Sequence, residues 1–599
     1  MISNKFVYSI MACLITLFLI VLMVLPNLNV EAKHDEFSYE TKLFNEKKVT
    51  TINIEIDEKD WAGMMENPTA EEIKEATVTV NGKRINNIGI RTKGNSSLTS
   101  VASSDSKRFS LKLDFDYYDS SQSIYGLKKL NLNNNFSDTT QMKEYVSYEI
   151  LESMGLSTPE HSYMNVTVNG EDYGLMLGVE AVDETFLAKN YGSNDGFLFK
   201  PDGTGSDLKY ISSDIDDYSG LNPKTNESNI DQSNILDMID VINNGGDIEE
   251  YIDVDNMLRY FATTTALVSM DSYQGMLKHN YYLYEEDGKF SIIPWDYNMA
   301  FGSFSMGGMG SKGMQMPEGM DPSKLGNMDV SKEEMKLPEG QKSSKGFEGG
   351  NMLDAMTNQD IMSEESINFD ISNPVSGTTI EDRPLLNALL KNKEYLATYE
   401  KYLKELSTQY FTEENVSKIT KEVSATILTY VEADPSKFGT TEQFLEGVSG
   451  EKSLAAFAGA RSDSILKQLS GELVIDKKPA SEEAEAANGT VPSNEEQKQT
   501  SPKGDDPSGA AEGKEPPDGV ELGQMPEGMD PSKMPEGMKP PEGFDPSQMA
   551  KGMASGQMAK GGTADPSVSM RNLALTLGSL LILLIAIFGV SKFNRRGFR

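Results

Sequence analysis

The fold of this chain is decided by the stretch Asn280-Tyr-Tyr-Leu-Tyr-Glu-Glu-Asp-Gly-Lys-Phe-Ser-Ile-Ile-Pro-Trp-Asp296, which predicts a β-hairpin. Apolar and aromatic residues fill both arms, and the segment Glu285-Glu286-Asp287-Gly288 supplies the turn residues between them. A hairpin brings its two ends together. We therefore expect the carboxamide of Asn280 and the carboxylate of Asp296 to lie close enough to share a metal ion.

A second acid, Asp271, lies just upstream of this hairpin. The order is an acid, then an Asn that opens a strand, then a hairpin that leads into a second Asp. A protein-kinase active site arranges its catalytic base and its two magnesium ligands in the same order. The order therefore indicates phosphoryl transfer.

The composition bounds the class of protein. At 599 residues the chain exceeds the usual size of a single domain, so we expect one large bilobal domain or two domains with tails. The formal net charge is −37, and no long basic stripe interrupts the acidic composition. Because an acidic surface repels phosphates, this balance argues against a nucleic-acid partner.

The N-terminal segment 1–32 predicts export. Lys5 precedes an apolar run, Phe6–Leu25, and Val30–Ala32 follows it as a small-residue cleavage site. The run is long for a signal peptide, so an uncleaved signal anchor remains an alternative. Cys13, the only cysteine, lies in this run, where a lipoprotein cleavage box is a further alternative. The mature body therefore has no disulfide.

A second apolar segment, Leu573–Val590, predicts a transmembrane helix. The basic segment 591–599 follows it, and basic flanks stay in the cytoplasm. Lys5 falls on the same side by the same rule, so the body between the two apolar segments is expected outside the cytoplasm. We expect a cell-membrane protein with a cytoplasmic C-terminus, single-pass, or double-pass if the N-terminal segment is uncleaved.

Two segments have low complexity, a Met- and Gly-rich insert at 302–351 and a stalk at 476–570. Neither shows a helical or strand period, so we predict that both are disordered. The run Met-Pro-Glu-Gly-Met-Asp-Pro-Ser-Lys occurs at 316–324 and again at 525–533, which indicates a shared role as spacer, substrate or ligand. Binding of a soft ion such as Cu(I) by the Met thioethers is one alternative, and a plain spacer is another.

The remaining chain predicts an α+β fold, with a sheet-rich N-lobe at 36–185 and a helix-rich C-lobe at 186–475. Apolar residues at helical spacing predict helices over Thr139–Met154, Leu385–Thr408 and Glu413–Tyr430. The predicted strands of the N-lobe are Val49–Ile56, Ala76–Val80, Ile85–Arg91, Arg108–Asp116, Leu127–Leu132, Tyr163–Val168 and Gly174–Glu180.

Six segments of this body, taken in order, resemble the successive signatures of the CotH spore-coat protein kinase family. They are Gly89–Ser97, Lys107–Lys112, Gly174–Glu180, Asn280–Tyr284, Pro294–Asp296 and Arg383–Leu385. The resemblance implies an atypical, bilobal kinase-like protein that acts outside the cytoplasm. It also implies that ATP and Mg²⁺ or Mn²⁺ are used to phosphorylate serines of spore-coat or envelope proteins.

Three side chains are the candidates for metal binding and proton transfer. Asp296, at the end of an apolar strand, would hold Mg²⁺ on the nucleotide phosphates, and Asn280 would give a neutral oxygen to a second metal ion. Asp271 would orient the acceptor hydroxyl and take its proton. The alternatives are a turn-capping Asp, an Asn that only opens a strand and an ordinary loop Asp.

A cation is also expected near the phosphates, and Lys112 is the candidate. It lies inside an apolar strand, where an unpaired charge is costly, so a partner carboxylate is expected. That partner would be Glu144 or Glu149 on the predicted helix.

Other residues are expected to contact the nucleotide. Arg91, Lys93 and Asn95 surround a Gly-containing turn that could cover the phosphates, or the two cations are simply solvated. Glu180 ends a strand that leads to the expected lobe connection, Ala181–Asp183, where adenine could hydrogen-bond.

The triplet Asp-Pro-Ser recurs in the two low-complexity segments, within reach of a tethered kinase. We therefore predict autophosphorylation or pseudo-substrate sites at Ser323, Ser532, Ser547 and Ser567.

A different class of function is a cell-surface adhesin or a coat or envelope scaffold that keeps the fold without turnover. A pure binding module gains nothing from keeping Asp271, Asn280 and Asp296 together, so this set favours the enzyme. A glycan-processing enzyme that uses paired carboxylates is a third class, and the spacing of the acids does not favour it.

Overall fold

The computed structural model describes residues 37–225, 233–304 and 360–475. Within these ranges no helix is long and apolar enough to cross a membrane. The predicted features that lie outside the described residues are the segment 1–32, nearly all of the insert 302–351, the stalk 476–570, the segment 573–590, the tail 591–599 and Ser323, Ser532, Ser547 and Ser567.

Alternating apolar residues form the strands of the first half. In β1 (Thr50–Ile56), Ile52, Ile54 and Ile56 are buried and the residues between them are exposed, as the two-residue period of a strand requires. The strands that follow are β2 (Lys74–Val80), β3 (Lys83–Lys93), β4 (Ser110–Asp114), β5 (Lys129–Asn133), β6 (His161–Val168) and β7 (Glu171–Glu180).

These strands close into a barrel in the order β1-β2-β3-β4-β5-β7-β6. β1 and β6 run parallel, with Ile52 opposite Val166, and the other neighbours are antiparallel. Apolar side chains such as Val78, Ile90 and Leu113 fill the interior. The parallel pair of β1 and β6 joins strands that are far apart in the sequence. This pairing closes the barrel and leaves the sheet no free edge.

A second sheet belongs to the second half of the chain. The hairpin predicted between Asn280 and Asp296 is confirmed there, with Asp287 and Gly288 at positive φ in its turn. The sheet is antiparallel in the order β11-β10-β8-β9, with β8 at Phe197–Pro201, β9 at Leu221–Pro223, β10 at Tyr281–Glu286 and β11 at Lys289–Pro294. The sequence reasoning does not predict β8 and β9.

Helices make up most of the second half, so a sheet-rich N-terminal region and a helix-rich C-terminal region are confirmed. In chain order the helices are α1 (Tyr39–Leu43), α2 (Glu58–Glu66), α3 (Ser96–Ala102), α4 (Lys143–Ser153), α5 (Glu184–Tyr191), α6 (Ser233–Asn244), α7 (Val254–Ala266), α8 (Glu364–Ile367), α9 (Pro384–Lys391), α10 (Lys393–Glu405), α11 (Glu413–Ala433), α12 (Thr441–Ser449) and α13 (Leu454–Ser470).

The helix predicted over Leu385–Thr408 is divided into α9 and α10. Asn392 leaves the helical conformation between them, and its side chain accepts the backbone N–H of Glu394 at 2.9 Å. Asn is a strong N-cap residue because its side-chain oxygen satisfies a free N–H of the first turn. The apolar periodicity alone does not show this break.

A buried ion pair ties the end of α11 to the barrel. Arg108 Nη1 lies 2.7 Å from Asp434 Oδ2, and both side chains are 1% exposed. Arg108 Nε also donates to the carbonyl of Asn134 at 3.0 Å, and Asp434 Oδ2 accepts the N–H of Leu175 in β7 at 3.0 Å. We call Arg108 and Asp434 the clamp. It fixes the helical half against the barrel.

Candidate active site

A cavity of about 490 Å³ lies between the outer face of the barrel and the second sheet. β3, β4 and β5 present every second residue to it, while the residues between them fill the barrel. The register places Arg91 opposite Lys112 and Lys112 opposite Asn131. Along β5, Lys129 lies beside the lobe connection, where the N–H of Ala181 donates to its carbonyl at 3.4 Å.

The two ends of the hairpin line this cavity and share an uncommon backbone conformation. Asn280 has φ +57° and Asp296 has φ +59°, in the left-handed region that few residues other than Gly adopt. Asn and Asp tolerate this region best. Such conformations cluster at functional sites. Here they occur at both candidate metal ligands.

Asp271 lies against Asn280. Asn280 Nδ2 donates to the Asp271 carbonyl at 3.0 Å and to Oδ2 at 3.1 Å. The other carboxylate oxygen, Oδ1, lies 2.5 Å from His279 Nε2. Burial alone would lower the pKa of His279, but the charge of Asp271, the contact with Asp271 and the charges of Asp202 and Asp296 together outweigh burial and leave that pKa raised. The structure therefore brings Asp271 and Asn280 together and adds a histidine to them.

The carboxylate of Asp296 has little support from the protein. The backbone N–H of Asp296 donates to the Tyr148 hydroxyl at 3.2 Å, yet no donor in the described ranges hydrogen-bonds to its carboxylate oxygens. Burial raises the pKa of Asp296, and the charge of Asp271 raises it further, although Lys93 and Lys200 oppose them. A carboxylate in this position would be stabilised by an additional cation.

Lys93 connects through Asn133 to a carboxylate of α4. Lys93 Nζ donates to Asn133 Oδ1 at 2.7 Å, and Asn133 Nδ2 donates to Glu144 Oε2 at 2.9 Å. Glu144 is 3% exposed and accepts the Tyr148 hydroxyl at 3.2 Å. Burial raises the pKa of Glu144 to about 7. We call Lys93, Asn133 and Glu144 the relay.

The structure corrects the pairing predicted for Lys112. This lysine lines the cavity, but it forms no ion pair with Glu144, Glu149 or any other acid that the structure describes. Burial, together with the positive charges of Arg91 and Lys129, lowers the pKa of Lys112 to about 8. Lys112 therefore adds positive charge to the cavity wall, while Lys93 is the lysine that connects to Glu144 through Asn133.

Arg91 and Asn95, on either side of the Gly-containing turn, line the cavity. Arg91 is not free, because it forms an ion pair with Glu71 and donates to the carbonyl of Thr92 at 2.9 Å. Gly94, at φ +123°, permits the turn from β3 into α3.

Glu180 does not line the cavity, so its predicted contact with adenine needs correction. It is fully buried, and it accepts Lys189 Nζ at 2.8 Å, the N–H of Glu160 at 3.0 Å and the hydroxyl of Tyr39. These donors occupy its carboxylate, which makes Glu180 a structural residue. The lobe connection Ala181–Asp183 itself does line the cavity.

Glu149 also lies away from the cavity. Its Oε1 is 3.3 Å from Nε2 of the buried His161. Of the two acids that the sequence offers as the lysine partner on α4, only Glu144 reaches the site. Glu149 is five positions further along the helix and faces β6 instead.

Sequence reasoning misses three side chains of the site, Asn133, Lys200 and His279. His279 directly precedes Asn280 and is one of only three histidines, so its position was a usable signal. Asn133 lies in a polar run that suggests a loop. Lys200 belongs to β8, a strand that was not predicted.

Hard oxygen donors for a divalent cation are present at the hairpin ends. Asn280 uses its Nδ2 toward Asp271, which leaves Oδ1 for another partner, and Asp296 offers two carboxylate oxygens. The described part of the chain contains no group of three or more His, Cys, Asp and Glu side chains that could hold a metal ion. Mg²⁺ is usually held by one or two carboxylates together with substrate phosphates. The donors fit an ion that binds together with a phosphate.

Comparison with known proteins identifies the family of this chain. The family model described as CotH kinase protein matches residues 90–465. This chain belongs to the CotH kinase protein family. The match begins in β3 and ends in α13, so this CotH domain contains the relay and Asp271, Asn280 and Asp296. The resemblance found in the sequence is confirmed.

A curated relative of this CotH protein is named for the spore coat. Inner spore coat protein H of Bacillus subtilis (strain 168) is 29% identical over 192 residues. The match covers 30% of this chain and 51% of that protein, so the chain spans about half the length of its relative. The homology to a spore coat protein holds over that part.

Proposed function

We propose that this CotH protein is an atypical protein kinase that transfers the γ-phosphoryl group of ATP to serine hydroxyls. One observation carries the proposal: Asp271, Asn280 and Asp296 line a single cavity together with the relay. The cavity thus combines a carboxylate for the acceptor proton, oxygen donors for a metal ion and a cation for the phosphates. Phosphoryl transfer requires these parts. The barrel and the helical half would act as the two lobes of a kinase-like fold.

The transfer step gives Asp271 the role of base. The serine Oγ attacks the γ-phosphorus, and the bond from that phosphorus to the bridging oxygen breaks, with its electron pair leaving on ADP. The hydroxyl proton passes to the carboxylate of Asp271. One hydrogen bond from Asn280 and the contact with His279 keep this carboxylate oriented, and a second hydrogen bond from Asn280 holds the backbone carbonyl of Asp271.

The relay would bind the nucleotide phosphates. Lys93 is the contact, and Asn133 and Glu144 fix its position from behind, because both are buried on the barrel side of the cavity. Arg91 and Lys112 add positive charge in the neighbouring row of the sheet. The adenine of ATP would lie toward the lobe connection Ala181–Asp183.

Asp296 and Asn280 would hold Mg²⁺ or Mn²⁺ together with phosphate oxygens. The bound ion would neutralise charge on the phosphates. Its binding would also relieve the repulsion between Asp296 and Asp271 that raises the pKa of Asp296 in addition to burial.

The proposed acceptors are serines of spore-coat or envelope proteins, and the name of the curated relative supports the coat as substrate. We also propose that the body works outside the cytoplasm and is held at the membrane by residues 573–590, with export through 1–32. The apolar runs in these segments support this placement. Self-modification is proposed at the Asp-Pro-Ser serines Ser323, Ser532, Ser547 and Ser567.

The test is incubation of the purified full-length chain with γ-labelled ATP and Mg²⁺ or Mn²⁺, followed by phosphopeptide mapping. We expect label on serine in the wild type and none in Asp296→Asn. Asp463→Asn is the matched control, because Asp463 is an exposed acid on α13. A wild type that binds no ATP would support a non-catalytic adhesin or scaffold instead.

A further inference from the structure

Two lysines from opposite walls of the cavity approach the ring of Trp295. Lys93 Nζ from the barrel lies 5.8 Å from the ring centroid, and Lys200 Nζ from β8 lies 5.6 Å from it. Lys200 Nζ is also 5.4 Å from the Tyr282 ring. Trp295 directly precedes Asp296, and both ammonium groups act on the Asp296 carboxylate, whose pKa their charges lower.

The two lysines differ in their partners. The ammonium group of Lys93 donates to Asn133 in the relay, whereas the ammonium group of Lys200 makes no hydrogen bond or ion pair with any residue in the described ranges. Aromatic rings offset part of the free energy that is lost when a cation is buried, since their faces attract positive charge. They do not replace an anion, and a buried unpaired charge is costly.

Two carboxylates supply most of the negative charge near Lys200. Burial lowers the pKa of Lys200, and the charges that oppose this are chiefly those of Asp296 and Asp202. Lys189 provides the contrast, because it pairs with Glu160 at 2.9 Å and Glu180 at 2.8 Å and is structurally satisfied. Lys200 thus has no ion-pair partner among the described residues. The rings of Trp295 and Tyr282 lie near its ammonium group, and the charges of Asp296 and Asp202 act on it.

We propose that Lys200 is a catalytic residue that contacts the transferring phosphoryl group, across the cavity from Lys93. The inference rests on the proposed function and extends it to a second cation. During transfer the bond to the bridging oxygen breaks while the serine Oγ bond forms, and charge spreads over the equatorial oxygens of the phosphoryl group. Lys200 moves no proton. Its ammonium stabilises this charge, and the aromatic rings hold it in place beforehand.

The experiment measures binding and turnover on the full-length chain. Magnesium ADP alone probes the ground state, and magnesium ADP with aluminium fluoride probes the transferring phosphoryl group. The variants are Lys200→Met, Lys200→Arg and the matched control Lys289→Met, in which an exposed lysine of the same sheet is removed. Thermal melting checks that each variant is folded.

We expect Lys200→Met to bind magnesium ADP within about threefold of wild type and to lose the tighter binding that aluminium fluoride gives. ATP turnover should show kcat lower by about 10²-fold to 10³-fold with KM nearly unchanged, and Lys200→Arg should recover part of it. Equal losses for both ligands, or a kcat within threefold of wild type, would overturn the proposal. Failure of the proposed function is distinguishable, because it appears as a wild type that binds neither ligand.

Discussion

The clamp contains buried charges and the cavity contains half-buried ones, and the two differ in how far those charges are satisfied. In the clamp, Arg108 and Asp434 bind each other, and further partners occupy their remaining donors and acceptors. In the cavity, Lys112 and Lys200 have no ion-pair partner among the described residues, and the Asp296 carboxylate accepts no hydrogen bond from them. The protein completes one set of charges itself and leaves the other set for a ligand.

The largest effect is expected where this contrast is strongest, at Asp296. Asp296→Asn should lower phosphoryl transfer on the order of 10³-fold, because it removes the anionic oxygen offered to the metal ion. It should not lower the melting temperature of the metal-free protein, since burial and the charge of Asp271 already disfavour the ionised form. Labelled-ATP turnover and thermal melting without metal measure the two effects. A clear loss of stability would mean that Asp296 is a structural acid.

A substitution in the clamp should lower stability and leave turnover nearly unchanged, the opposite of the result expected at Asp296. Asp434→Asn leaves the buried guanidinium of Arg108 without its counter-charge, so we expect the free energy of unfolding to fall by about 3–5 kcal/mol. Turnover per folded molecule should remain near the wild-type value at low temperature. Chemical denaturation followed by far-UV circular dichroism measures the loss, with Asp463→Asn as the exposed control. If the two Asn variants were equally stable, the clamp would not hold the two halves together.

The relay lies between these extremes, because it is hydrogen-bonded and yet faces the cavity. Lys93→Met and Glu144→Gln should each lower turnover by about 10-fold to 100-fold, mainly through weaker nucleotide binding. Since Asn133 connects the two side chains, the double variant should lose little more than the worse single variant. Kinetics on the four proteins of this cycle provide the measurement. Fully additive losses would show that Lys93 and Glu144 act independently.

Much of the fold could be predicted from local sequence patterns. The Asn280–Asp296 hairpin, the strands of the barrel and α4 follow from two-residue and helical periods, and the structure confirms them. Closure of the barrel could not be predicted, because it depends on the pairing of β1 with β6 across a long sequence separation. The strands β8 and β9 are short and gain their stability from the hairpin that they extend.

The site was predicted in part, for a related reason. Asp271, Asn280 and Asp296 are close in sequence, so their order already indicated a common cavity. The choice between Lys93 and Lys112 depends on which strand position faces Glu144. Both lysines lie on the outer face of the barrel, and sequence alone gives no distance to α4. Only the hydrogen bonds through Asn133 identify Lys93 as the partner.

The smallest effect concerns His161, a buried charge that is satisfied only while it is protonated. Burial lowers the pKa of His161, but Glu149 at 3.3 Å and the nearby Glu152 outweigh burial, and the pKa is raised above 6.5. A raised folded-state pKa means that the stabilisation is complete below the unfolded value of about 6.5 and is lost as the pH rises through the folded value. His161→Gln should therefore cost about 1.5 kcal/mol at pH 6 and less at pH 9. Urea unfolding of both proteins across this range measures the difference. A cost that does not change with pH would show that His161 contributes packing against Tyr145 and Tyr148, whose rings lie 4.8 and 5.1 Å away, and no charge.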